Sequence, residues 1–398
     1  MYSIKELFKI GNGPSSSHTI GPMEATKAFL KRYPYLDQVK VVLYGSLALT
    51  GRGHLTDYII EKTLLPIPCI IEFDISTVMP HPNTLIFMGY QNQQLVGKMT
   101  VYSVGGGAIQ IEGEKEELKK HIYLLDTFEK IKEYCSLNHK TLVNFIDDVE
   151  DEAFVSYMED IYQAMLNSVK RGLENTGVLP GKLQIKRKAA YIYQQKSQTQ
   201  DSTELLRKRV LAYAYATSEE NASGGTIVTA PTCGASGVLP ACLCYALELK
   251  KYPHQEIIDG LKVAGLIGNL VKTNGSISGA EAGCQAEVGT ACAMAAAFLA
   301  YLDNPQCDNV ERASEIALEH HLGLTCDPID GYVQIPCIER NAVAALRAID
   351  AAKLASYINS SESKISFDLI VRTMLDTGHD LDTPYRETST GGLAKNFH

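Results

Sequence analysis

Positive charge is what this sequence is short of. Its 37 lysines and arginines face 46 aspartates and glutamates, giving a formal net charge of -9. There is no basic stripe to release counterions from phosphates, which excludes nucleic acid as a partner. Long apolar runs are missing as well. The most apolar stretch, GTACAMAAAFLAYL from Gly289 to Leu302, has 14 residues, whereas a membrane span takes ~20. It reads as a buried helix. At the start, MYSIKELFKIGNG puts Lys5, Glu6 and Lys9 where a signal peptide needs an unbroken apolar core. A cytoplasmic chain with no membrane partner is expected. Nucleotide fingerprints are absent too. YSVGGGAI, Tyr102 to Ile109, lacks the G-x-G-x-x-G spacing and a following helix, and the Gly-rich stretch Asn221 to Pro240 has no lysine after it. A pyridoxal phosphate enzyme would need a Schiff-base lysine beside a phosphate loop, and no lysine sits in such a motif. Internal repeats and low-complexity tracts are also lacking.

What is present is ordinary globular composition, 45% hydrophobic and 21% charged over 398 residues. That length exceeds one compact core and implies two or three domains. Val39, Val41 and Leu43 alternate in QVKVVLYGSLAL, and IPCIIEFDI, NTLIFMGY and GKMTVYSVGGG are β-rich, the last two joined by a polar turn at Gln91 to Gln94. From about Lys130 the pattern turns helical. Phe154, Met158, Ile161, Met165 and Val169 recur at three-four spacing, and Gly177 with Pro180–Gly181 ends the run. The fold class expected is α+β: a small N-terminal α+β domain, 1–145, and a larger all-helical domain, 146–398.

Ten cysteines in a chain with no export signal remain free thiols unless they bind metal or do chemistry. Cys242, Cys244 and Cys292 lie in apolar helices and read as core filler. Cys69 and Cys135 are expected to pack, and Cys307 to sit in a surface loop. Cys284, Cys326 and Cys337 differ, being surrounded by glycine, proline and polar groups. Three sulfurs suit a 4Fe-4S cluster with one iron left open, or a zinc site. Their separations, 42 and 11 residues, match no short C-x-x-C pattern and leave both open.

Two loops carry histidines. In GNGPSSSHTIGP, Ser15, Ser17, His18 and Thr19 could cradle a carboxylate, and Ser17 or Thr19 could equally cap the next helix. In YGSLALTGRGHLTD, Asp57 follows His54 closely enough to fix its tautomer, although a loop histidine can also be merely solvated. NASGGTIVTAPTCGASGVLP offers Thr226, Thr229, Thr232 and Ser236. KTNGSISGAEAGCQAEVG sets Cys284 between Glu281 and Glu287 in a polar elbow.

Taken together, GPSSSHTIGPM, YGSLALTGRGHLTD, YSVGGGAI, GVLPGKLQIKRKA, ASGGTIVTAPTCGASGVLP, SISGAEAGCQAEVG, GLTCDPIDGYVQIPCIERNA and YRETSTGGLAKN occur in an order that resembles the iron–sulfur L-serine dehydratases over most of the chain. The resemblance implies a 4Fe-4S cluster on Cys284, Cys326 and Cys337, and active-site histidines at His18 and His54. It also implies substrate contacts from Ser15, Ser17, Thr19, Thr232, Asn274 and Ser276. The reaction implied is loss of water from L-serine to give pyruvate and ammonia. His54 would take the α-proton, with the histidine roles open to exchange, and an open iron would act as Lewis acid on the β-hydroxyl. With histidines and cysteines in different domains, an interdomain cleft is expected. Two departures stand out. Cys233 occupies a position where many relatives have asparagine, and the chain ends KNFH where some have a cysteine that can reach the cluster, so that any capping role of the tail is either lost here or taken by His398. A cluster lyase acting on L-cysteine and a non-catalytic amino-acid sensor are the rival readings; the cysteine trio speaks against the sensor. Ala-rich helices suggest a homodimer.

Overall fold

The structure is a computed structural model and describes residues 1–114, 120–195, 202–358 and 363–397; His398 lies outside the described residues. The chain divides into two compact units. One holds residues 11–119, and the other residues 1–10 with 120–398.

The smaller unit is built on five strands: β1 (Gln38–Tyr44), β2 (Cys69–Asp74), β3 (Thr84–Gln91), β4 (Gln94–Gly105) and β5 (Ala108–Ile111). They lie in the order β2-β1-β3-β4-β5. β1 and β2 are parallel, with Val39 opposite Cys69; the remaining neighbours are antiparallel. The turn foreseen between β3 and β4 turns on Asn92 and Gln93, both at positive φ, as the two-residue turns that suit strand twist require. Helix α1 (Gly21–Arg32) lies on one face, where Phe29 stacks on Phe87 of β3 with ring centroids 5.1 Å apart. Gly89 makes that approach possible, because a Cβ there would come within 3.1 Å of the Phe29 ring. Two short α-helices, α2 (Gly45–Thr50) and α3 (Thr56–Leu64), follow β1.

Among its described residues the larger unit is mainly helical, with a three-residue strand, Thr226–Val228, and isolated bridges between Val178 and Lys186 and between Cys326 and Arg386. Its helices are α4 (Phe128–Leu137), α5 (Leu142–Val149), α6 (Ala153–Glu174), α7 (Ala189–Gln194), α8 (Ser202–Ala222), α9 (Val238–Cys244), α10 (His254–Asn274), α11 (Gly279–Ala282), α12 (Thr290–Asp303), α13 (Cys307–Glu319), α14 (Cys337–Tyr357), α15 (Phe367–Asp380) and α16 (Gly392–Asn396). The three-four stripe on α6 is buried as its spacing requires. α12 is covered on every side. Together with the turn before it, residues 285–303 make a helical stretch long and apolar enough to cross a bilayer, yet most of it is buried inside the unit. That burial also takes the Ala-rich α12 away as a surface for a second copy of the chain. Glycines on α10 let its neighbours close in. A Cβ at Gly260 would meet the Phe298 ring at 2.7 Å, and one at Gly265 would meet Ile4 at 2.5 Å. The N-terminal segment is pinned along the same helix: Asn269 donates to the Tyr2 carbonyl at 2.7 Å and Lys272 to the Glu6 carbonyl at 2.9 Å.

The compact units part at 119/120, whereas the sequence led to a boundary expected at 145/146. Tyr123, Phe128, Ile131 and Phe145 belong to the helical core, and so do Ile4, Leu7 and Phe8. Cys242 and Cys292 are buried core thiols, donating weakly to the carbonyls of Ala345 and Ala344. Cys307 is not in a surface loop. It opens α13, half-buried, hydrogen-bonded to the thiol of Cys135.

Candidate active site

In the smaller unit the serine-rich loop tightens into a helical turn, Ser16–Ile20, that leads into α1. The Ser15 hydroxyl caps it, accepting from the His18 N–H at 3.2 Å. Thr19 donates its hydroxyl to the His54 carbonyl at 2.8 Å, and Thr56 donates to the His18 carbonyl at 2.5 Å. These two cross-bonds bring the imidazoles together, with ring centroids 4.6 Å apart. Behind the loop, Ser103 donates to the Ser17 carbonyl at 2.7 Å, and its hydroxyl fills the space a Cβ on Gly21 would need.

The two rings are wired differently. His18 uses both nitrogens, Nδ1 with the Ser17 hydroxyl at 3.0 Å and Nε2 with the Ser46 hydroxyl at 2.9 Å. His54 meets only Thr50, through Nδ1 at 3.3 Å, which leaves Nε2 without a partner among the described residues. Asp57, expected to orient His54, instead lies in the first turn of α3 and accepts from the N–H of Tyr58 at 2.9 Å. Burial, then the neighbouring His54, holds His18 well below its ordinary value, and burial takes His54 down to about 4. Both imidazoles are therefore neutral at cellular pH. The hydroxyls of Ser15 and Thr19, foreseen as substrate contacts, are spent on this scaffold.

In the larger unit, three separate segments deliver the cysteines. Gly283, at φ +72°, turns the chain out of α11 so that Cys284 precedes α12; a side chain there would also strike the Leu324 carbonyl at 2.7 Å. Cys326 lies in extended chain, donating its N–H to the Tyr385 carbonyl at 2.8 Å and accepting at its own carbonyl from the Glu387 N–H at 2.7 Å. Cys337 is the first residue of α14. All three are buried. The hydrogen bond its thiol makes to Cys284, then burial, raises the Cys326 thiol; burial, then the neighbouring Cys284 thiol, raises that of Cys337. Arg340 joins the same group, bonded to the Cys284 thiol, to the Thr325 carbonyl at 2.5 Å and to Asp327 at 3.1 Å.

Carboxylates complete the centre, and the sequence reading did not assign them. The ligand atoms of Cys284, Glu287 and Cys326 all lie within 4.8 Å of one another. Thr232, a foreseen site residue, donates its hydroxyl to Glu287 Oε1 at 2.7 Å, and Glu287 Oε2 lies 3.9 Å from the Cys326 sulfur. Glu387 sits at φ +56°, an unusual backbone state for a residue with a side chain. Burial, then Glu287, pushes its carboxyl up to about 8. Asn341 ties the segment carrying Thr232 to α14, accepting from the Gly237 N–H at 2.9 Å and donating to the Gly234 and Cys337 carbonyls, each at 2.8 Å. Asn274 and Ser276 serve structure in this conformation. The Asn274 amide donates to the Asp126 and Leu270 carbonyls, and the Ser276 hydroxyl to Glu281 at 2.6 Å.

Comparison with known proteins accounts for both units. A family profile described as serine dehydratase alpha chain matches residues 89–394, and one described as serine dehydratase beta chain matches residues 3–65. The chain belongs to the serine dehydratase family. Among relatives in this family, the L-serine dehydratase of Haemophilus influenzae is 38% identical, over 99% of this chain and 99% of that protein. L-serine dehydratase 2 of Escherichia coli is 38% identical over 99% and 98%. The L-serine dehydratase of Helicobacter pylori (strain 26695) is 40% identical over the same shares.

Proposed function

We propose that this chain is an L-serine dehydratase, removing water from L-serine to yield pyruvate and ammonia through a 4Fe-4S cluster held by Cys284, Cys326 and Cys337. The observation that carries the metal reading is the donor set. Buried thiols gathered with a carboxylate suit iron–sulfur or zinc chemistry and suit magnesium or calcium poorly. Once bound, such a group supplies Lewis acidity toward the leaving hydroxyl. The remaining chemistry belongs to side chains. His54 is the better placed of the two histidines to take the α-proton, because its Nε2 is free while both His18 nitrogens are engaged. Burial keeps His54 unprotonated, so its Nε2 can accept a proton, while weakening it as a base. His18 packs against it and braces it through the shared loop. The enamine left after elimination becomes an imine, which water hydrolyses.

The test is anaerobic purification, a count of iron and acid-labile sulfide, and pyruvate release from serine, with threonine and cysteine as competing substrates. His54→Ala retains the cluster absorbance and loses turnover; Cys326→Ala loses both. A fully active Cys326→Ala protein overturns the reading. A cytoplasmic homodimer belongs to the same proposal and is checked by light scattering on the fractionated holoenzyme.

A further inference from the structure

Glu287 has one carboxylate oxygen fixed and the other aimed at sulfur. Oε1 is held by the Thr232 hydroxyl at 2.7 Å, while Oε2 faces Cys326 Sγ at 3.9 Å within the group that also contains Cys284. Neighbouring acids are committed elsewhere. Asp327 accepts from Arg340 and from the Leu393 N–H at 2.8 Å, and Glu387 accepts from the Ala280 N–H. The space between Glu287 and Cys326 is kept open by the absence of a side chain at Gly279, where a Cβ would lie 2.7 Å from Glu287 Oε2 and 3.2 Å from Cys326 Sγ. A carboxylate restrained by a neighbouring hydroxyl at one oxygen, and meeting the Cys326 thiol at the other, is arranged as a one-oxygen metal ligand.

We propose that Glu287 is the fourth protein donor to the cluster, its Oε2 holding the iron that no cysteine holds until substrate arrives. This rests on the cluster reading above. Three thiolates and one carboxylate give each iron a protein ligand in the resting state. Substrate oxygen then replaces Oε2 by simple ligand exchange, with no change of oxidation state. Thr232 retains Oε1 throughout and is a positioning residue, so the carboxylate stays beside the iron it has released. Glu287 thus shields the labile iron when serine is scarce.

The experiment uses anaerobically prepared holoenzyme, with Glu287→Gln, Glu287→Ala and Thr232→Val. Iron and sulfide are counted, and the dithionite-reduced protein is examined by electron paramagnetic resonance. Each protein is then oxidised mildly with ferricyanide while the 3Fe-4S signal is followed. Loss of the fourth iron is expected to be at least ~10-fold faster in Glu287→Ala than in the parent, with Thr232→Val between them. Serine added to the parent should move its reduced spectrum toward that of Glu287→Ala. Identical spectra and equal iron-loss rates in parent and variants overturn the proposal. Glu287→Gln preserves volume and supplies the same readout where the alanine variant does not fold. A parent protein that takes up no iron and sulfide overturns the cluster reading, and this proposal with it; a parent with a full cluster indifferent to Glu287 overturns this proposal alone.

Discussion

Burying an imidazole has a cost that appears on acidification, and His54 makes it measurable. Its value falls from the ordinary 6.5 to about 4 because burial disfavours the charged ring. A lowered folded-state value means the unfolded chain binds the proton first. The stability is present above pH 6.5 and is lost as pH falls toward 4. Between pH 7 and pH 5 the unfolded imidazole becomes almost fully protonated while the folded one barely does, so linkage removes roughly 2 kcal/mol of stability over that interval. His54→Asn removes the group and its share of the slope, while His18 remains in both proteins. The assay is hydrogen exchange on peptides from the smaller unit across a urea series at pH 7 and pH 5, with free energies extracted from the midpoints. The parent should lose about 2 kcal/mol more than the variant over this range. Equal losses would mean that His54 is not buried neutral, and the assignment of a ready base would go with it.

Other perturbations reach different parts of the molecule. Gly279→Ala puts a methyl group 2.7 Å from Glu287 and 3.2 Å from the Cys326 sulfur, so iron content after reconstitution should fall well below that of the parent, read by metal analysis. Glu220 holds Arg187 at 2.8 Å and Asn175 at 2.8 Å; Glu220→Ala breaks this ion pair at a nearly buried arginine and should cost about 3–5 kcal/mol, read from denaturant midpoints. Phe298→Ala opens a void opposite Gly260 in the packed helical core and should cost about 3–5 kcal/mol in the same assay.

Local patterns carried much of the fold. The alternation in Gln38–Tyr44, the three-four stripe of α6 and the β3–β4 turn are written in neighbouring residues, and each forms where its spacing required. The cysteine trio stood out by its polar surroundings. Glu287, Glu387 and Arg340 did not, because a charged residue looks solvated until distant segments bury it. Glu287 gains its meaning from Thr232, 55 residues earlier, and Cys326, 39 residues later. Asp57 and Asn274 differ for the opposite reason, because backbone groups close in sequence, the Tyr58 N–H and the Leu270 carbonyl, bond their side chains. The boundary expected at 145/146 differs from the compact-unit division because membership in a core depends on which side chains meet: Tyr123, Phe128, Ile131 and Phe145 pack with the helical core.

The pinning of the first residues along α10 has a consequence for synthesis. Tyr2 and Asn269 are 267 positions apart, and Glu6 and Lys272 are 266 apart. At ~5–20 residues per second, the ribosome needs roughly 15–50 s to make the groove into which Ile4, Leu7 and Phe8 fit. For that interval the segment lacks its α10 contacts and has only those with residues made sooner, such as Glu150 and Tyr157.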